Sequence, residues 1–250
     1  MLWLGTCGWS LSQAKYFRQF NAIEIQQTFY EPPRLETALR WKRSAPEHFA
    51  FAVKAWQLVT HPASSPTYRR LRTPLDEQER AACGFFRDAP VVEEAMRRTL
   101  EVADALGARV VLFQTPASFA PEPANVAALR AFFTRYRREG SVFVWEPRGP
   151  WPDDLVRSLC EELGLVHGTD PFRRPSLTPG VIYYRLHGVG GYGHRYTDAE
   201  IQELAWRVSQ HLESQEDIWC FFNNVTMAED AARLAATLRL PGHGGAVVSW

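Results

Sequence analysis

Charged and hydrogen-bonding side chains recur in this chain at one point of a repeating pattern, at or just beyond the end of a short apolar run. "AIEI" carries Glu24, "FAFAVK" ends in Lys54, and "RVVLF" runs into Gln114. "VFVWE" ends in Glu146 with Arg148 two residues on, "LVHGT" is followed by Asp170, "VIYYRL" holds Arg185 and runs into His187, and "IWCFF" is followed by Asn223 and Asn224. Carboxylates mixed with cations suit general acid–base chemistry, because unequal neighbours drive carboxyl pKa values apart. Glu24 or Glu146 is the candidate base, Lys54 and Arg185 would stabilise developing negative charge, and His187 would shuttle a proton. Asp170 completes the catalytic set, while His61, Gln114, Arg148, Gly190, Gly191, Asn223 and Asn224 are the candidate substrate-binding residues. The competing reading is a structural network in which Glu24, Glu146 and Asp170 neutralise Lys54, Arg148 and Arg185.

The elements that must carry these residues are eight β-rich runs: 2–5, 22–25, 49–54, 109–113, 142–146, 165–169, 181–186 and 218–222. Helical patterns separate them, in 89–107, 122–139, 152–163, 197–214 and 226–238. In the first, Val92, Ala95, Met96, Thr99, Leu100, Ala103 and Leu106 recur at helix spacing and Gly107 stops the run. Alternating strands and helices imply a parallel sheet, and eight strands in one 250-residue domain point to an α/β fold, the (β/α)8 TIM barrel. A doubly wound sheet would need a glycine fingerprint after its first strand, which "GTCGWS" does not supply.

Side chains alternate across a barrel strand, so parity sorts them. Glu24, Lys54, Gln114 and Glu146 fall on the inward set, with Tyr183, Arg185 and His187 of the seventh strand. Phe49, Phe51, Val53, Phe143, Trp145, Tyr184 and Leu186 fall on the helix-facing set. The polar groups cluster at C-terminal strand ends, which is where such barrels carry their active sites.

Two connections are irregular. "DPFRRPSLTPG", between the sixth and seventh strands, is too rich in proline for a full helix. Residues 55–88, after the third strand, are far longer than a usual βα loop and carry His61, Tyr68, Arg69, Arg70 and Arg72, as a lid over the barrel mouth would. The loop "HGVGGYGHRY" gathers Gly188, Gly190, Gly191 and Gly193 with His187, His194 and Arg195, a composition suited to holding an anion on backbone N–H groups.

Lys and Arg number 28, as do Asp and Glu, so the surface is not built as a whole to hold a polyanion. The four cysteines, Cys7, Cys83, Cys160 and Cys220, are scattered without metal-finger spacing. No signal-peptide pattern opens the chain and no run approaches the length of a membrane span, so a soluble, cytoplasmic protein is expected.

"GTCGWS", "EIQQTFY", "FAVKAWQLVTH", "FQTPASF", "WEPRGPW", "RLHG" and "FFNN" occur in an order that resembles the YecE-like family, domain of unknown function 72, over essentially the whole chain. The resemblance implies a TIM barrel and no particular activity. The segment after "GTCGWS" is shortened relative to the family pattern, and the third loop is elaborated, as in a distinct subgroup.

Three functions fit these residues. The first is a hydrolase, lyase or isomerase acting by acid–base chemistry on a small anionic, phosphorylated or carbohydrate-like molecule. The second is a metal-dependent phosphodiesterase or nuclease using Glu24, Glu146, Asp170, His61 and His187, although hard divalent ions favour an excess of carboxylate and here cations balance the anions. The third is a non-catalytic nucleic-acid or ligand-binding module working through Arg69, Arg70, Arg72, Arg173 and Arg174. No cofactor is clearly implied beyond that divalent metal, and no membrane partner is expected.

Overall fold

Each apolar run is a strand: β1 Leu2–Thr6, β2 Ala22–Ile25, β3 Ala50–Lys54, β4 Val110–Thr115, β5 Val142–Pro147, β6 Val166–Thr169, β7 Val181–Leu186 and β8 Asp217–Phe222. They come from a computed structural model that describes residues 1–239. The helices are α1 Gln13–Gln19, α2 Gln27–Tyr30, α3 Leu35–Ser44, α4 Gln57–Thr60, α5 Glu77–Ala82, α6 Pro90–Leu106, α7 Pro123–Tyr136, α8 Asp153–Leu163, α9 Asp198–Glu213 and α10 Met227–Thr237. The sheet order is β1-β8-β7-β6-β5-β4-β3-β2, which with its interleaved helices is the α/β (β/α)8 TIM barrel. No helix separates β6 from β7, as the prolines there require. Residues 55–88 are not a bare loop: they carry α4, a 3-10 turn at Pro66–Arg70, and α5.

The chain divides into two compact units. One comprises Met1–Ile25, Ala45–Phe51 and the described residues from Val166 on. Here β8 pairs in parallel with both β1 and β7, and an isolated bridge joins Cys7, just past β1, to Glu24 of β2. Its aromatic core packs Tyr16 of α1 against Phe20 and Phe49. Tyr16 is fully buried, receives the Thr6 N–H and donates to the Ala22 carbonyl, so one hydroxyl ties β1 to β2. On β7 the expected parity holds, since the Tyr184 hydroxyl meets His211 of α9 while Tyr183 and Arg185 turn to Glu24.

The other unit comprises Gln26–Ser44 and Ala52–Leu165. Its central pair is β4 with β5, six residues in register from Val110 opposite Val142 to Thr115 opposite Pro147, with β3 on the other side of β4. Phe113 and Phe143 face the helices and meet Phe133 of α7 at 5.0 and 6.2 Å between ring centroids. Burying each such ring contributes about 1.5–3 kcal/mol, which fixes the opposite face of β4 and β5 as the one that carries Gln114 and Glu146. Trp145 also lies on the helix side, donating its indole N–H to Thr115 and packing edge-on against Trp151.

Candidate functional site

In the second unit, a continuous hydrogen-bonded chain crosses the C-terminal ends of β3, β4 and β5. Lys54 Nζ donates to Gln114 Oε1 at 2.7 Å, Gln114 Nε2 donates to Glu146 Oε2 at 3.0 Å, and Arg148 Nη2 stands 2.7 Å from Glu146 Oε1. Register makes this possible, because Gln114 and Glu146 are direct partners across β4 and β5. An ammonium can only donate and a carboxylate only accept, so the Gln114 amide is held in one orientation. Lys54 and Glu146 are buried, whereas Gln114 is half-buried and the Arg148 side chain is 29% exposed.

The surroundings of this chain sharpen its electrostatics. The Lys54 ammonium lies 3.9 Å from the centroid of the Phe29 ring, a cation–π contact, and the Thr28 hydroxyl donates to the Lys54 carbonyl. Phe29 also meets the His61 ring edge-on at 4.8 Å. Burial first, and then the Lys54 charge, depress the His61 pKa to about 3, so the imidazole is neutral at physiological pH. Its Nδ1 is 2.8 Å from the Thr60 hydroxyl and its carbonyl accepts the Tyr68 hydroxyl. His61 is therefore a fixed neutral wall of the site.

In the first unit, the Glu24 carboxylate is fully occupied. Arg185 donates from Nε to Oε2 at 2.8 Å and from Nη2 to Oε1 at 2.9 Å, and the Tyr183 hydroxyl adds a third bond at 2.8 Å. All three residues are completely buried. Burial, and then the Glu24 charge, hold the Tyr183 pKa well above the ordinary tyrosine value, so it stays a proton donor. Arg185 Nη1 lies 3.3 Å from His187 Nε2, and because a guanidinium only donates, that nitrogen is the acceptor. The Asn223 amide stands 3.1 Å from the other ring nitrogen.

Asp170 carries backbone donors on both oxygens, the Phe172 N–H at 3.1 Å and the His187 N–H at 3.0 Å, and so ties the end of β6 to the end of β7. Asn223 meets His187, but Asn224 faces the other way: it is fully buried and donates to Asp230 of α10 and to the His194 carbonyl. The loop of Gly190 and Gly191 closes on itself, with the Gly191 N–H on the Gly188 carbonyl and the His194 N–H on the Gly191 carbonyl. His194 and Arg195 are answered by Glu200 and Glu229. In the third connection, Arg70 stacks over the Tyr30 ring at 3.5 Å, and the Arg72 and Thr73 N–H groups bind Glu31.

Tyr183 is a partner of Glu24 whose signal in the sequence is the parity it shares with Arg185. Phe29, which touches both Lys54 and His61, had no such signal. Among the described residues, no group of three or more His, Cys, Asp or Glu is arranged to hold a metal ion. The carboxylates proposed as ligands meet cations or backbone donors instead. No described helix is long and apolar enough to cross a membrane.

A family model described as "Protein of unknown function DUF72" matches residues 4–242. The chain is 23% identical to the UPF0759 protein YunF of Bacillus subtilis over 266 residues, covering 90% of this chain and 89% of that one. The crystal structure of a DUF72 family protein from Enterococcus faecalis superposes with a TM-score of 0.76 at 18% identity over the full length of both chains. One from Thermotoga maritima gives 0.68 at 19% identity, covering 96% of this chain and 99% of that one. At these identities the structures speak for the fold.

Proposed function

The chain belongs to the DUF72 family of TIM-barrel proteins, and from that premise we propose that it is an enzyme that moves a proton on a small anionic, hydroxyl-bearing molecule. The observation that carries this reading is the chain Lys54–Gln114–Glu146–Arg148. A purely structural ion pair gains most from direct contact with water excluded, whereas here an amide joins the buried ammonium to the buried carboxylate, and the two members most open to solvent are a hydrogen-bonding amide and a guanidinium.

Arg148 meets the anionic group of the ligand, for which its planar fork of donors is suited. Glu146, held between Gln114 and Arg148, is the base. Negative charge that develops as the proton leaves is stabilised by Arg148 and by Lys54, whose field reaches the site through the polarised Gln114 amide. His61 stays neutral and contributes shape. In the other unit, Glu24, Arg185 and Tyr183 form a closed structural triad, and Asp170 fixes the backbone of His187. In this reading their roles are to position, and of the candidate bases it is Glu146 that moves the proton.

A thermal-shift screen of sugar phosphates and hydroxy acids, with proton exchange from ligand C–H bonds followed by NMR in D2O, tests this. Glu146→Gln is expected to keep ligand binding and lose exchange by roughly 10²- to 10⁴-fold, while Arg148→Ala loses binding of anionic ligands. Exchange that proceeds unchanged in Glu146→Gln would sink the assignment.

A further inference from the structure

His61 does more than shape the acid–base site of the second unit. Its Nδ1 stands 2.8 Å from the Thr60 hydroxyl, and that contact fixes where the ring carries its proton. Thr60 is buried, and among the described residues His61 Nδ1 is the only partner of its hydroxyl. If Nδ1 held the proton and donated it, the hydroxyl would accept, and its own hydrogen would be buried with no acceptor at the full desolvation cost of that group. The hydroxyl therefore donates to Nδ1, and the proton of the uncharged ring sits on Nε2. An imidazolium fails the same count, since its Nδ1 would also have to donate. It is opposed as well by burial and by the Lys54 ammonium, which together depress the His61 pKa to about 3.

The ring is held in place around that nitrogen. Thr60 binds Nδ1, Phe29 meets the ring edge-on at 4.8 Å, and the Tyr68 hydroxyl holds the His61 carbonyl. Phe29 also carries the Lys54 ammonium over its face, 3.9 Å from the centroid, so one phenylalanine sets the imidazole beside the first member of the chain Lys54–Gln114–Glu146–Arg148. Nε2 itself has no partner among the described residues, and His61 is only 7% exposed. A donor so poorly hydrated gains most of a hydrogen bond when a bound oxygen reaches it.

We propose that His61 Nε2–H donates a hydrogen bond to an uncharged oxygen, hydroxyl or carbonyl, of the molecule whose anionic group meets Arg148, and so selects for molecules that carry such an oxygen. The two donors divide the work: a guanidinium makes the stronger, charge-assisted bonds to an anionic group, and a ring N–H without net charge adds one directed bond. A site built to hydrogen-bond a hydroxyl rejects the analogue that lacks it, because its own polar group is then left unpaired. The inference rests on reading this site as one for a hydroxyl-bearing anion, but not on Glu146 as its base.

Long-range ¹H–¹⁵N NMR of the histidine rings in the full chain at neutral pH tests it. The His61 signals are identified among the seven histidines by their loss in His61→Gln, and a single tautomer protonated at Nε2 is expected. Ribose 5-phosphate, glycerol 3-phosphate and lactate serve as hydroxyl-bearing probes, with inorganic phosphate and propionate as anions lacking a carbon-borne hydroxyl. At least one of the first three should shift the Nε2–H signal, and neither of the last two. His61→Phe, which keeps an aromatic wall and lacks the donor, should weaken binding of that probe roughly threefold to tenfold, the loss of one uncharged hydrogen bond, and leave phosphate and propionate unaffected. His61→Gln, whose amide can donate, keeps part of the preference. Thermal melts check the variants, and the wild-type spectra decide the matter if His61→Phe does not fold. A proton on Nδ1 or shared between the nitrogens, a signal unmoved by all three probes or moved equally by phosphate and propionate, or an unchanged preference in His61→Phe each overturns the inference. Proton exchange that survives Glu146→Gln while the His61 shift remains sinks the base assignment alone.

Discussion

Glu24 and Glu146 are the same residue type at equivalent inward positions of two strands, and only their partners separate them. Glu24 carries a bidentate arginine and a tyrosine and is closed to solvent; Glu146 is held between an amide and a partly exposed arginine. Parity puts both on the inward set but cannot rank them, because the partner that closes off Glu24 lies 161 residues away. His61 shows the same limit: nothing local announces that it is buried beside a lysine. Its depressed pKa has a consequence for stability. The unfolded chain binds a proton near pH 6.5 and the folded one only near pH 3, so between those values the unfolded state holds more protons. The His61 contribution is whole above pH 6.5, falls as the pH drops through that window, and is fully lost near pH 3. Urea melts from pH 7 to pH 4 should therefore show a loss that is shallower in His61→Gln, which has no proton to gain. Parallel curves for the two proteins would mean that His61 is hydrated in the fold.

At the scale of elements, the period of two in the apolar runs was enough to locate all eight strands and to separate the faces of β4, β5 and β7. It was not enough for residues 55–88. There α5 begins on a capping box, Asp76 with Glu79, that "DEQE" contains but that hydrophobic periodicity does not register. The segment then returns to α4 through Gly84, Phe85 and Phe86, three successive left-handed residues at φ +80, +57 and +56, whose N–H groups bind the carbonyls of Leu58, Thr60 and Val59. Two phenylalanines in that conformation run against their intrinsic preference, at about 1–2 kcal/mol each, so no propensity argument could have found the turn. Packing holds it, since Phe86 is buried among Phe113, Phe119, Phe132 and Phe133. Gly84 is the point on which it depends: a Cβ would meet the His61 carbonyl carbon at 2.3 Å, backbone against backbone. Gly84→Ala should cost about 2–4 kcal/mol. Gly140→Ala, at φ +75 but with nothing within 4 Å, should cost only about 1 kcal/mol. Equal melting temperatures for the two variants would show that the close approach at His61 relaxes freely.

For the whole molecule, charge rather than shape decides which large partners are plausible. Twenty-eight cations face twenty-eight anions, and the balance is local as well as global. Arg97 lies between Glu94 and Glu101, Arg130 pairs with Glu162, Arg135 with Asp88 and Glu93, Arg138 with Asp104, and Arg207 with Glu203. Such exposed pairs contribute little stability, because solvent and salt screen them. Their effect on association is larger, because each guanidinium already matched to a carboxylate must lose that partner before it can neutralise a phosphate. Of the arginines that the sequence groups as a nucleic-acid patch, Arg70 lies over the Tyr30 ring. The charge count is legible at once, as are the pairs within one helix, Arg97 with Glu94 and Glu101 and Arg207 with Glu203, but the pairing between elements is not, since it depends on which helices pack side by side. Binding to random duplex DNA should therefore be weaker than about 10⁻⁴ M at physiological salt, with log K against log salt no steeper than about −2, since each phosphate neutralised contributes about −0.9 to that slope. Fluorescence anisotropy between 50 and 200 mM salt reads both quantities, at roughly the ionic strengths where such contacts are most visible. A slope near −5 would mean that about five or six phosphates are neutralised and would favour nucleic acid as the partner.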